Sequence, residues 1–171
     1  MSRYLFVIDY QKDFVDGALG FPGAERLDDK IAAKVRAYGK GHVLFTRDTH
    51  FDNYMDTQEG RNLPVKHCIK GTPGWQIRPE LDALRKTEPI DKLTFGSSAL
   101  PEILVKENPE SVTFVGLCTD ICVISNVMLT KAFFPEIPIT VDARACAGVT
   151  PAGHNNALEA MKMCQVQVIN Q

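Results

Sequence analysis

The chain has 171 residues, 44% hydrophobic and 23% charged, with a formal net charge of −2, which fits one globular domain over 1–171 with a substantial core. That balance gives no reason to expect nucleic acid or an anionic membrane as partner, and no apolar run reaches transmembrane length. Five scattered cysteines (Cys68, Cys118, Cys122, Cys146 and Cys164) form no compact disulfide framework. With no signal peptide, the cytoplasm is the expected compartment.

Short apolar runs alternate with helical patterns along the chain. Tyr4–Ile8 reads as a first strand, followed by helical spacing at Leu27, Ile31, Ala32, Val35 and Tyr38. Val43–Thr46 is the second strand candidate, and Glu88–Ile90 the third. Between them, from Asp48 to about position 86, runs a polar stretch rich in Gly and Pro, longer than a spacer usually is and expected to form a metal and substrate loop. Helical spacing returns from Ala99 to Val105, then strand Val112–Val115 and a helix over Ile121–Phe133. Ile137–Val141, a helix opening at Thr150-Pro151, and Val166–Ile169 complete the series. Strand–helix alternation with nearly continuous apolar strands predicts an α/β fold: a doubly wound, mostly parallel six-stranded sheet with helices on both faces. Ligands are then expected outside the carboxyl ends of the strands.

Four pieces of polar chemistry fall on that edge. Asp9 ends the first strand, Lys92 follows the third, and Cys122 lies in the first turn of the helix after the fourth, where the helix dipole favours a thiolate. Singly, each has a plain alternative: a turn carboxylate, a solvated ammonium, a small buried thiol. Together on one rim they form an acid, an amine and a sulfur equipped for acyl transfer from an amide. Asp13, Asp120 and Asp142 are better read as turn, cap and structural carboxylates.

The fourth piece is Asp48 and His50, two apart and on one side of an extended segment, with Glu59 and His67 further along. Two imidazoles and two carboxylates suit a divalent first-row cation, zinc foremost, with manganese or iron as alternatives. Cys68 points away from His67 in an extended segment and is a weak ligand candidate. His42 and His154 have no such company and read as structural.

Five segments in order carry a resemblance: V-I-D-Y-Q-K-D-F (7–14), T-R-D-T-H (46–50), H-C-I-K-G-T-P-G (67–74), Lys92 with F-G-S-S-A (95–99), and G-L-C-T-D-I-C-V (116–123). D-A-R-A-C-A (142–147) with His154 is a softer match. The chain resembles the isochorismatase-like cysteine hydrolases, and among them the nicotinamidases, over nearly its whole length. The resemblance implies a triad of Asp9, Lys92 and Cys122, a metal set of Asp48, His50, His67 and Glu59, and a cis peptide between Leu117 and Cys118. It also implies an oxyanion hole from the backbone N–H groups of Cys118 and Cys122, and hydrolysis of nicotinamide to nicotinate and ammonia through a Cys122 thioester. Nicotinamidases often carry a stacking aromatic shortly before the position of His67, where this chain has Leu63, Pro64 and Val65. Ring contact then falls to Phe14, Phe95, or Trp75 folding inward.

Two other readings stand beside this one. A superfamily hydrolase could act on another small amide or a carbamoyl compound, although carbamoyl-type members usually lack the metal set. Isochorismate cleavage is disfavoured, since the enzymes that perform it lack the cysteine. A catalytically silent metal-binding scaffold would show a broken triad, and this one is whole. The expected partner is a small-molecule amide, and the sequence leaves a homo-oligomer open.

Overall fold

The computed structural model describes residues 2–39 and 42–171. Its strands are β1 (Arg3–Ile8), β2 (Val43–Asp48), β3 (Ile90–Lys92), β4 (Ser111–Leu117), β5 (Ile139–Ala147) and β6 (Gln167–Ile169). They form one sheet in the order β3-β2-β1-β4-β5-β6, with every neighbouring pair parallel. The helices are α1 (Lys12–Val15), α2 (Leu27–Tyr38), α3 (Gln58–Asn62), α4 (Pro79–Asp82), α5 (Ala99–Glu107), α6 (Ile124–Phe133) and α7 (Pro151–Met163).

Strand order and handedness place the layers. The connections β1–β2 and β2–β3 step one way across the sheet, whereas β3–β4, β4–β5 and β5–β6 step the other way. Right-handed crossovers therefore put α2 and α4 on one face and α5, α6 and α7 on the other. The packing agrees: α2 touches β1, β4, β5 and α4, while α6 touches both α5 and α7. Covered on both sides, β1 is buried at every position from Tyr4 to Ile8, which is why its sequence is a continuous apolar run. In α2 the buried Leu27, Ile31, Ala32 and Val35 follow the helical period, with Asp28 and Asp29 at the positive end. Thr150 caps α7 by accepting the Gly153 N–H, and Pro151 occupies the first turn.

Three elements differ from expectation. The third strand lies two residues later than the pattern indicated, because its edge is defined by pairing with β2: Thr46 opposite Ile90, Arg47 opposite Asp91, Asp48 opposite Lys92. Lys92 and Asp48 are thus the last residues of neighbouring strands and not the first residues past them. β5 continues through the small and polar run to Ala147, held by pairing of Cys146 and Ala147 with Gly116 and Leu117 beyond a register shift. Pairing there overrides a segment of low strand propensity. The helix expected from Ile121 begins as a single π turn, Thr119–Val123, before α6 proper.

Strand order reverses between β1 and β4, and this switch point is where a crevice opens. Gly116 sits there with φ 117°, and a Cβ on it would collide with the carbonyl oxygen of Ile8, its register partner. Glycine alone lets the two strand ends approach so closely.

Candidate active site

Asp9 follows the last residue of β1 in a left-handed conformation, φ 44°, which turns its side chain into the crevice. Its position is doubly fixed: the backbone N–H donates to Thr46 Oγ1 (3.1 Å), and that hydroxyl donates back to Asp9 Oδ1 (2.6 Å). Oδ2 meets Lys92 Nζ at 2.6 Å, and both side chains are fully buried. The ammonium also donates to Thr94 O (3.1 Å) and lies 3.8 Å from Asp48 Oδ1. Burial opposes charge on Lys92, but the carboxylates of Asp9 and Asp48 outweigh it and raise its pKa, so the ammonium persists. Burial likewise raises the Asp9 carboxyl, against the pull of Lys92.

Cys122 is buried in the π turn, close enough to Asp9 and Lys92 for both to act on its titration. Burial pushes the thiol well above its ordinary range, the Asp9 charge adds to this, and Lys92 works against it. Burial thus works against the thiolate expected from a helix start. The turn is anchored by Asn126, one turn on and itself buried, whose amide donates to Cys122 O (2.8 Å) and Phe95 O (3.0 Å) while accepting the Ser97 N–H (2.9 Å). The Leu117–Cys118 peptide just before it is cis.

Beside this group, Asp48, His50, Glu59 and His67 each offer a ligand atom within 4.8 Å of the others. His50 Nε2 stands 3.0 Å from Asp48 Oδ2 and 3.5 Å from Glu59 Oε1; His67 Nε2 stands 3.5 and 3.6 Å from the same two oxygens. Bonds of about 2.0–2.1 Å in a tetrahedral zinc site put ligand atoms roughly 3.3 Å apart, so the spacing fits such an ion. His67 Nδ1 donates to Val65 O (2.8 Å), which leaves Nε2 as the ligand nitrogen. Asp48 Oδ1 is buried without a hydrogen-bond partner. Burial opposes ionisation of Asp48, yet hydrogen bonds from His50 and His67 and the charge of Lys92 hold it below the usual carboxylate range. Tyr54 packs edge-on against both imidazoles, with ring centroids 4.7 and 5.1 Å away.

Phe14, Leu19, Leu63, Phe95 and Ile121 wall a cavity that also exposes Cys118, Cys122, Asp48, Glu59 and His67. Cys122 and members of the two-histidine, two-carboxylate cluster thus line one apolar chamber.

The isochorismatase domain model matches residues 3–171. The chain belongs to this family. Over 189 aligned residues it is 26% identical to the nicotinamidase/pyrazinamidase of Mycobacterium tuberculosis, covering 98% of each chain. It superposes on a nicotinamidase/pyrazinamidase structure from Bacillus subtilis with TM-score 0.87 at 28% identity, over 99% of this chain and 100% of that one. A pyrazinamidase of Pyrococcus horikoshii, solved in complex with zinc, shares the fold at 24% identity and TM-score 0.83, each chain fully covered.

In this isochorismatase-family hydrolase, the structure gathers Asp9, Lys92 and Cys122 at one point and Asp48, His50, Glu59 and His67 at the next. Phe14 and Phe95 line the chamber, with Phe14 packed 5.5 Å from the His67 ring. Trp75 corrects its expectation: its indole N–H donates to Thr49 Oγ1 (2.9 Å), its ring lies 3.6 Å from the Arg47 guanidinium, and it is absent from the chamber wall. Leu19, Leu63 and Ile121 complete the wall in place of a third aromatic. Cys68 is buried but stands outside the ligand cluster. Asp13 accepts the Cys68 N–H (2.7 Å) and steadies the segment carrying His67; Asp120 accepts the Val149 N–H (3.1 Å). Asp142 pairs with Lys34 at 2.6 Å. His42 packs against Tyr4, and His154 bonds to Thr119, both away from the cluster. Sequence reasoning missed Thr46, Asn126 and Gln11, the last of which brackets the Asp48 backbone by donating to its carbonyl (2.9 Å) and accepting its N–H (2.7 Å). For Gln11 the one available signal was its place inside the polar run after β1.

Proposed function

We propose that the protein is a metal-assisted cysteine amidohydrolase that converts nicotinamide to nicotinate and ammonia. The observation that carries this reading is the buried acid–amine–sulfur group facing a two-histidine, two-carboxylate cluster across one apolar chamber. The relatives named nicotinamidase/pyrazinamidase in M. tuberculosis and B. subtilis support the choice of amide.

Asp48, His50, Glu59 and His67 would hold the divalent ion, zinc by the nitrogen and oxygen character of the set. When bound, the ion supplies an electrophilic anchor for the ring nitrogen of the substrate. Phe14 and Phe95 flank the ring, and the carboxamide carbon lies at Cys122. Asp9 takes the Sγ proton as sulfur attacks the carbonyl carbon. The backbone N–H groups of Cys118 and Cys122 receive the oxyanion. Asp9 returns the proton to the departing nitrogen, ammonia leaves, and the acyl group remains as a thioester on Cys122. Asp9 then draws a proton from water, which attacks the thioester to release nicotinate and restore the thiol. Lys92 keeps Asp9 and the sulfur in register and balances their negative charge throughout.

Ammonia release measured over nicotinamide, pyrazinamide, aliphatic amides and carbamoyl compounds tests the proposal. Turnover of the aromatic amides, lost on Cys122→Ala and on iodoacetamide labelling of Cys122, is the expected result. Turnover of non-aromatic amides alone would move the substrate to another amide class. No ammonia from any member, with zinc bound, would leave a silent scaffold.

A further inference from the structure

The chamber at Cys122 is small, about 60 Å³. A groove of about 480 Å³ adjoins it, and the two share Glu59, Leu63, Phe95 and Ile121 as lining residues. Beyond the shared wall the groove adds Leu93, which is 68% exposed, on one flank and Gln58 and Asn62 on the other. Phe95 and Leu63 are themselves about two-fifths exposed, so the lip is a row of leucine and phenylalanine held in water. Clustered exposed apolar side chains of this kind mark ligand-binding grooves. Apart from Glu59, assigned to the cation, no charged side chain lines the groove.

We infer that this groove is an extension of the substrate site, and that the enzyme accepts heteroaromatic carboxamides bearing a neutral, apolar substituent on the ring. The inference rests on the proposed function and deepens it. With the carboxamide carbon at Cys122 and the ring between Phe14 and Phe95, a substituent on the far edge of the ring passes Ile121 and lies along Leu93. Its end can hydrogen-bond to Gln58 or Asn62. Anionic extensions are disfavoured, because the groove offers no lysine or arginine to pair with them, and its ionisable residues, His50 and Glu59, are both assigned to the cation. The continuity of the walls favours a substrate over a second copy of the chain as occupant of this lip, since a protein partner would seal the chamber.

The test separates binding from turnover. Zinc-loaded Cys122→Ala protein is titrated calorimetrically with nicotinamides carrying methoxy, ethoxy, propoxy or butoxy groups at ring position 5 or 6, and with carboxylate-ended analogues. In at least one series affinity should rise roughly two- to fourfold per added methylene, the upper value being that of full burial. The carboxylate-ended analogues should bind more weakly than their neutral counterparts, and adding Leu93→Ser should flatten the gain. Both alkoxy series flat or weakening with length would overturn the inference. So would a concentration-dependent dimer that covers Leu93 and excludes the longer ligands. Failure of wild-type protein to release ammonia from nicotinamide itself would count against the proposed function and not against the groove, because the titration does not depend on turnover.

Discussion

Replacing Lys92 by methionine keeps an unbranched apolar stem, one atom shorter, and removes the charge. At an effective dielectric constant of about 20, the ammonium's contacts at 2.6 Å with Asp9 and 3.8 Å with Asp48 represent roughly 6 and 4 kcal/mol of gross attraction. Most of this offsets the cost of burying the charges, and breaking a buried pair by removing one partner costs about 3–5 kcal/mol net. For a domain of this size that is a fall in Tm of ~6–20 °C. The sharper expectation concerns the double variant Asp9→Asn/Lys92→Met. With both charges gone the Asp9 carboxylate is no longer left unpaired, and much of the lost stability should return, because a buried pair replaced as a unit is often near neutral; the part owed to the Lys92–Asp48 contact at 3.8 Å should stay lost. Activity should not return, since the proton acceptor is also gone. The deficit of the single variant should depend on pH in a definite direction. Without Lys92, burial and the neighbouring Asp48 both raise the Asp9 carboxyl above its unfolded value. Stability is then greatest when Asp9 is protonated and falls as pH rises through its folded pKa, so the deficit should shrink in acid. Urea denaturation of metal-free protein at several pH values, with ammonia release from the metal-loaded forms, reads each part. A double variant as unstable as Lys92→Met alone would mean the loss came from packing and not from an unpaired charge.

Adding zinc to metal-free protein at a hundredfold excess over its Kd should stabilise the fold by about 2.7 kcal/mol, raising Tm by ~5–11 °C. In His50→Ala the upshift and the bound zinc should both fall, and KM should rise; unchanged metal content by elemental analysis would remove His50 from the ligand set. Asn126→Ala leaves the carbonyls of Cys122 and Phe95 and the amide of Ser97 without their partner, at about 1–3 kcal/mol for a buried group. The expected result is a lower Tm and a kcat reduced more than KM is changed, with zinc content intact; wild-type kcat in the folded variant would show that the clamp does not position the sulfur.

The features legible in the sequence are those that repeat or that end a repeat. Tyr4–Ile8 reads as a doubly covered strand because it is apolar without alternation, and Asp9 stands out because it stops that run. Leu27, Ile31 and Val35 carry the helical period, and Thr150-Pro151 is a cap that local chemistry specifies. Asp48 and His50 are marked by being two apart at the end of an apolar run. What escaped is held by distant partners. Thr46 and Gln11 each bond to a residue 37 positions away, and Asn126 ties its turn to a loop 29 to 31 residues earlier. Side-chain bonds to remote backbone leave no periodic trace. The tail of β5 is similar, because Ala143 to Ala147 are extended through pairing with β4 and have little strand propensity of their own. Trp75 is the converse case: the lack of an aromatic just before His67 made it a candidate for ring contact, but Thr49 and Arg47, both on or next to β2, already engage its N–H and its ring face.

The resting state of Cys122 follows from competition between effects of different size. A helix start favours an anion by typically 0.3–1 kcal/mol at an exposed position. Burial of Cys122 opposes that preference, and Lys92 is already paired with Asp9 at 2.6 Å. The proposed mechanism therefore pairs the sulfur with an adjacent base. In the proposed mechanism Asp9 suits the task because burial raises its carboxyl, making it a better proton acceptor than an exposed carboxylate. A carboxylate at its usual acidity would be a poor acceptor of a thiol proton; one lifted by burial can take that proton and still return it to ammonia. In the proposed mechanism, the desolvation that works against a ready-made nucleophile thus also strengthens the base that would generate one.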